Sequence, residues 1–211
     1  MSEMYHRNSA FVFIKPHALI LLPLVKTKLA GAGVAIVSEG AIGAAAIDTH
    51  KLIDQHYYAI ASKATILKPH QLSVPEDKFQ AKFGVSFADV LKAGAAYNAT
   101  DACEYFECDA LTLEAAYRKS DNQVKLGGGF YCGLVGGFPG KAPVYVFNAF
   151  FMAMRQEFVE PGAGIHYLLV EWDGERLPWA AFRGELLGPT DPATAPVGSI
   201  RGGAYANWEV G

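Results

Sequence analysis

The sequence carries little net charge. Its 18 lysines and arginines stand against 21 aspartates and glutamates, which gives a net charge of −3 and a pI near 6.1. A nucleic-acid-binding surface needs an excess of basic residues, and the chain as a whole has none. We therefore expect no nucleic-acid partner, although a local group of basic side chains can still bind a small anion.

Long apolar runs are also missing. The first apolar run ends at Lys15, and nowhere does the chain contain the roughly 18 consecutive apolar residues that a membrane-spanning helix requires. The sequence therefore predicts no membrane span and no secretory signal. Because 51% of the residues are hydrophobic, the chain of 211 residues can nevertheless bury a sizeable core.

Cysteine is scarce. The three cysteines, Cys103, Cys108 and Cys132, are odd in number and show no Cys-x-x-Cys spacing. This pattern is typical of reduced thiols in an intracellular protein, so we expect a cytoplasmic location. The alternative is a metal site built from Cys103, Cys108 and a nearby histidine, although zinc normally takes four ligands at closer spacing.

Residues 188–203 combine three prolines and four glycines in sixteen positions. Such a composition disfavours both a helix and a central strand, because proline lacks an N–H and glycine carries a large entropic cost. The segment is therefore predicted to be a long ordered loop, and long ordered loops are often functional. Arg201 lies near its end, where small neighbours would let an anion approach.

This segment resembles the nucleotide-binding loop of the nucleoside diphosphate kinases. The runs 188–192 (Gly-Pro-Thr-Asp-Pro) and 198–202 (Gly-Ser-Ile-Arg-Gly) stand at the separation that the family shows between Gly-x-Thr-Asn-Pro and Gly-Thr-Ile-Arg-Gly. The resemblance implies that Thr190 and Arg201 bind a nucleoside di- or triphosphate. It also implies Mg²⁺ as a cofactor, held mainly by the phosphates and not by a carboxylate cluster.

The N-terminal part of the chain follows the same family. Residues 9–14 form an apolar run that predicts a buried strand, and Pro16 keeps Lys15 extended at its end. A helix over 19–29 and a strand over 34–42 follow. The resemblance implies that Lys15 reaches the nucleotide, although His17 and its successor depart from the family's Asp-Gly.

Two aromatic positions are assigned by resemblance. A helix capped by Asp48 would carry Tyr57, which the family places close to the transferred phosphate. Phe150 would stack on the nucleobase with Met154 as its apolar companion. In both cases the alternative is that the side chain belongs to a buried helix stripe.

The last matching elements are a strand over 164–172 and a helix over 175–187 that contains Arg183. The family has a phosphate-contacting arginine four residues before the loop glycine. Arg183 lies five residues before Gly188, so its spacing differs from that of the family by one position. The resemblance assigns Arg183 to the nucleotide phosphates.

The family transfers the γ-phosphate through a phosphohistidine that follows the Arg-Gly-Asp run on a final strand. No histidine follows His166 in this chain, which ends at Gly211. Two explanations compete. The expected histidine lies beyond Gly211, or the protein has lost catalysis and kept the fold for nucleotide binding or assembly.

The implied fold is an α/β (α+β) sandwich of the ferredoxin-like type, with an antiparallel sheet covered by helices. We expect one domain over 1–211, with 60–144 as a helical and glycine-rich insertion. The resemblance also implies a homo-oligomer, a trimer or a hexamer. A third hypothesis needs no family: a protein that uses Lys15, Arg183 and Arg201 to bind some other phosphate ligand.

Overall fold

The computed structural model describes residues 7–208, apart from the side chain of Trp208. The chain divides into two compact units. We call residues 45–160 the central unit, and the described residues on either side, 7–44 and 161–208, the terminal unit. The central unit begins earlier and ends later in the chain than the insertion expected over 60–144.

The described residues form seven strands: β1 (Arg7–Ile14), β2 (Ala35–Gly43), β3 (Ala96–Asn98), β4 (Gln123–Gly127), β5 (Phe130–Val135), β6 (Val144–Phe147) and β7 (Gly164–Asp173). Eleven α-helices accompany them in the same part of the chain: α1 (Leu22–Gly31), α2 (Ala44–Thr49), α3 (Leu52–His56), α4 (Tyr58–Ala61), α5 (Glu76–Phe83), α6 (Phe87–Lys92), α7 (Ala99–Phe106), α8 (Ala110–Lys119), α9 (Phe150–Val159), α10 (Trp179–Ala181) and α11 (Ile200–Trp208). Three 3₁₀ turns, Pro16–Leu21, Pro69–Gln71 and Pro192–Thr194, and two π-helical turns, Ser62–Ile66 and Phe182–Leu186, complete the set.

The terminal unit is built on a three-stranded antiparallel sheet in the order β1-β7-β2. Ile14 pairs with His166 and Gly43 pairs with Gly164, so β7 lies between two strands from the N-terminal part of the chain. This confirms the strands predicted over 9–14, 34–42 and 164–172 to within two residues. Runs of β-branched and aromatic residues favour a strand wherever they are half-buried.

One face of this sheet packs against helices. Leu29 of α1, Leu168 and Val170 of β7 and Ile200 of α11 share a cluster of buried side chains. Trp172 stacks on Phe182, with ring centroids 4.2 Å apart and an angle of 6° between the planes. Such a pair adds about 1 kcal/mol beyond the burial of its area.

The central unit contains a four-stranded mixed sheet in the order β3-β6-β5-β4. β3 and β6 are parallel, and the other neighbouring pairs are antiparallel. Two hydrophobic clusters pack on it, one around Phe151 and one around Phe79. The glycine-rich stretch within the expected insertion, residues 126–140, contributes β5 and the last two residues of β4. Gly129, which has a positive φ, lies in the turn between these strands.

The helix predictions were less accurate than the strand predictions. The segment from Asp48 to Ile60 is three short helices, because Lys51 takes a left-handed conformation (φ 51°) between two of them. Asp48 lies inside α2 and caps nothing, so its predicted role as an N-cap is wrong. The helix predicted over 175–187 begins only at Trp179, after Pro178, and continues as a π turn.

Candidate functional site

The proline- and glycine-rich segment that begins at Gly188 ends in a helix. Asp191 accepts a hydrogen bond from the Ala193 N–H (3.1 Å) and caps a 3₁₀ turn, as expected for an ordered loop. The last part of the segment differs from the prediction, because α11 begins at Ile200 and includes Gly202. Gly202 lies in the first turn of this helix, where the loop packs too closely for a larger side chain.

Ser199 caps this helix, a role that was not predicted from the sequence. Its Oγ accepts a hydrogen bond from the Gly202 N–H (3.1 Å) and donates one to the Pro196 carbonyl (2.6 Å). A Cβ on Gly202 would overlap the Pro196 carbonyl oxygen, and one on Gly188 would meet the Ser199 hydroxyl. Serine one residue before a helix is a recognised start signal that could have revealed α11.

Arg201 joins the two ends of the loop. Its N–H donates to the Leu187 carbonyl (3.0 Å) and its Nη1 donates to the Gly188 carbonyl (2.6 Å). The side chain is half-buried, and its remaining N–H groups form no hydrogen bond with residues 7–208. A guanidinium held in this way keeps donors available for a phosphate oxygen.

Lys28 supports the loop from α1. Its ammonium group donates to the Gly198 carbonyl (2.7 Å), and the place of a Cβ on Gly203 lies 3.8 Å from its side chain. No local pattern in the sequence indicates this contact, which spans 170 positions. The loop is therefore attached both to α1 and to the segment that precedes Gly188.

The other two predicted phosphate-binding cations have no acidic partner in the part of the chain that the structure describes. Lys15 and Arg183 form no ion pair or hydrogen bond there through their side chains. In the same unit, Arg7 pairs with Glu171 at 2.9 Å and Lys26 with Glu39 at 2.6 Å. The three cations that the motif selects are thus left without a neutralising carboxylate.

The terminal unit does not bring all of these residues to one point. Lys15 follows Ile14, whose partner is His166 near the start of β7. Arg183 follows Phe182, which stacks on Trp172 near the other end of that strand. Arg201 is joined to the segment after Arg183 by its bond to Gly188. Thr190 is exposed and forms no side-chain hydrogen bond within residues 7–208.

The remaining predicted site residues lie in the central unit. Tyr57, Phe150 and Met154 are partly buried and pack against the cluster around Phe151. Phe150 makes an edge-to-face contact with Tyr131, with ring centroids 5.5 Å apart. Their packing agrees with the alternative of a hydrophobic helix stripe, while the half-buried Phe150 ring keeps part of its surface exposed.

A cleft of about 670 Å³ opens on another side of α9. Its wall includes Arg155, whose Nε donates to Asp54 (2.8 Å) and whose Nη2 donates to Asp48 (2.6 Å). The hydrogen bond from Arg155, followed by one from Lys51, holds the pKa of Asp48 below its ordinary value of 3.8. The two carboxylates and two cations balance, so this group is a structural ion network and offers no unpaired charge.

Within residues 7–208, no group of three or more His, Cys, Asp or Glu side chains is placed to hold a metal ion. The helices of that part of the chain are also too short or too polar to cross a membrane.

Comparison with known proteins supplies no family. No protein-family model, no curated protein and no solved structure matches this chain.

Proposed function

We propose that this protein binds nucleoside di- and triphosphates and acts as a phosphotransferase of the nucleoside diphosphate kinase type. In the terminal unit, Thr190, Arg183 and Arg201 would contact the phosphates, and the resemblance adds Lys15, which lies towards the other end of β7. The observation that carries the proposal is that Lys15, Arg183 and Arg201, the three cations that the resemblance assigns to the phosphates, have no carboxylate partner among the described residues.

The order of elements in the terminal unit supports the finer fold assignment. A strand, a helix and a second strand are followed, after the central unit, by β7 and a further helical segment. This sequence, with β7 paired between β1 and β2, matches the first five elements of the β-α-β-β-α-β pattern. We therefore include a ferredoxin-like sandwich in the proposal.

The chemistry asked of these residues is positioning and charge neutralisation. Arg201 would donate hydrogen bonds to phosphate oxygens, and Lys15 would supply a point charge. Mg²⁺ bound by the phosphates themselves would neutralise further charge, which suits a site without a carboxylate cluster. Transfer also needs an acceptor histidine, and no histidine of residues 7–208 follows Arg201.

The second candidate is a nucleotide-binding or assembly module without catalysis. It is favoured by the packing of Tyr57, Phe150 and Met154 against a hydrophobic cluster. The resemblance adds a homo-oligomer to either candidate, and sedimentation velocity of the purified chain tests that part.

Binding is tested by calorimetric titration with Mg·ATP and with ADP. We expect Arg201→Ala to weaken binding about tenfold or more, since a charge-assisted hydrogen bond contributes about 1.5–3 kcal/mol. Arg118→Ala is the control, because Arg118 is an exposed arginine whose partner Glu114 lies on the same helix, α8, and it has no role in the proposed site. Equal affinity of Arg201→Ala and the unchanged protein, with equal melting temperatures, would overturn the assignment.

Catalysis is tested separately by incubation with γ-labelled ATP and Mg²⁺ followed by a GDP chase. An acid-labile label that moves to GDP supports the phosphotransferase. Nucleotide binding without a label supports the binding module. If the substitution His17→Asn removes the label, the acceptor is His17, an exposed histidine that follows Lys15-Pro16.

A further inference from the structure

Two cysteines of the central unit meet at the end of α7. This helix ends at Phe106, and Glu107 takes the left-handed conformation with φ of 55°. The Cys108 N–H then donates to the Cys103 carbonyl (3.0 Å), and the Glu107 N–H donates to the Glu104 carbonyl (3.2 Å). These two bonds define a Schellman motif.

The motif decides which side chains touch. In a Schellman motif the residue after the left-handed position packs against the residue five positions earlier, and here both are cysteines. The thiols of Cys103 and Cys108 are hydrogen-bonded to each other, and both are free and only partly buried. A disulfide needs Cα atoms about 4–7 Å apart, and the backbone hydrogen bond between Cys103 and Cys108 draws their Cα atoms together.

The pair is asymmetric. Burial, with the neighbouring Cys108, Asp109 and Glu104, raises the pKa of Cys103 to about 12. Burial also raises the pKa of Cys108, but the hydrogen bond from Cys103 acts in the opposite direction. Cys108 is thus the sulfur that more readily becomes a thiolate.

We propose that Cys103 and Cys108 are a reversible modification site, which forms an intramolecular disulfide by exchange with a low-molecular-weight disulfide. The Cys108 thiolate attacks one sulfur of that reagent, so a mixed disulfide forms and one thiolate leaves. Cys103 then gives up its proton, and its sulfur attacks the Cys108 sulfur and expels the second thiolate. The protein loses two electrons, and the reagent becomes two thiols.

The test uses the folded chain and oxidised glutathione. After the remaining thiols are alkylated, we expect the peptide that contains both cysteines to have lost two hydrogens and to carry no alkyl group. Cys132 is fully buried and serves as the internal control, because it should be alkylated only after denaturation. The exchange rate should rise steadily between about pH 7 and 9, because the thiolate fraction is small at neutral pH. Unmodified Cys103 and Cys108 after prolonged exposure at pH 9, or a disulfide to Cys132, would overturn the proposal.

Two conservative variants separate the roles. Cys103→Ser should leave a stable glutathione adduct on Cys108, because no second thiol is present to displace it. Cys108→Ser should react much more slowly than Cys103→Ser, since the less acidic thiol is then alone. Equal or inverted rates in the two variants would contradict the assignment of Cys108 as the attacking sulfur.

Discussion

Asn148 stabilises the central unit through the hydrogen bonds of its side chain. It is fully buried, has a φ of 47°, and connects three backbone segments of the central unit. Its amide nitrogen donates to the Ile60 and Gly129 carbonyls (3.0 Å each), and its oxygen accepts from the Tyr131 N–H (2.9 Å). Asparagine is suited to this position because it tolerates a left-handed backbone and has both donors and an acceptor.

Replacing Asn148 by alanine should therefore strongly destabilise the folded protein. Two carbonyls and one N–H would lose their partners in a buried place, and we expect a loss of about 3–5 kcal/mol in the free energy of unfolding. Urea denaturation followed by circular dichroism measures it. Asn122→Ala is the control, since Asn122 is exposed and should change stability by less than about 0.5 kcal/mol. Similar losses in the two variants would contradict the role of Asn148.

The ion network around Arg155 predicts a response to acid. Because the pKa of Asp48 is lowered by its hydrogen bonds to Arg155 and Lys51, its ionised form stabilises the folded state. That contribution is present above the ordinary pKa of 3.8 and is lost as the pH falls through this value and below. We expect Asp48→Asn to destabilise the protein at pH 7 and to reduce its loss of stability between pH 5 and 3.

The measurement is the urea midpoint of both proteins at several pH values. Asp121→Asn provides the comparison, because Asp121 is exposed and its side chain forms no ion pair within the described residues. If Asp48→Asn and Asp121→Asn follow the same pH curve, the network does not contribute to acid sensitivity.

At the scale of elements, the junction of the loop with α11 is the most constrained point of the candidate site. A methyl group on Gly202 would overlap the Pro196 carbonyl oxygen, so the loop would have to move away from α11. We expect Gly202→Ala to cost about 1–3 kcal/mol of stability and to weaken nucleotide binding together with it.

Gly184→Ala tests whether the effect is specific to this contact. Gly184 lies in the π turn of the same unit and has open space around its Cα. Alanine there should be neutral or slightly stabilising, because glycine is the poorer helix former. Thermal melts and titrations with Mg·ATP on both variants would decide. A Gly202→Ala protein as stable as Gly184→Ala would show that the loop is not pressed against the helix.

At the scale of the whole molecule, the central unit is inserted between two neighbouring antiparallel strands. The chain leaves β2 at Gly43 and returns to β7 at Gly164, and these residues pair with each other. The Ala44 N–H also donates to the Ala163 carbonyl (2.9 Å). The two points of insertion are therefore as close as the ends of a β-hairpin.

We expect the terminal unit to fold after residues 45–160 are replaced by a two-residue Asn-Gly turn. Such a turn matches the twist of antiparallel strands, and the core around Leu168 would keep all its members. A cooperative thermal transition and dispersed amide resonances would support this, and an unfolded product would contradict it. The shortened protein should still bind the phosphates of ATP through Arg201.

Some features of this protein follow from local sequence alone. β1, β2 and β7 were predicted because each is a run of residues that favour strands, and the turn at Gly84 and the cap at Ser199 carry standard local signals. The basic residues of the candidate site were found in the same way, through short motifs. Local preferences extend over a few residues, so they determine where strands and loops occur.

Other features were decided by the tertiary structure. The helix predicted from Asp48 is interrupted at Lys51, and the Asp48 carboxylate instead binds Arg155, 107 positions later. The end of the loop is held to α1 by Lys28, 170 positions before Gly198. The contact of Cys103 with Cys108 depends on a left-handed residue, Glu107, that no local preference requires. In each case a hydrogen bond or close contact made only in the folded chain outweighs a local preference of about 1 kcal/mol, and the sequence alone cannot show which contact that is.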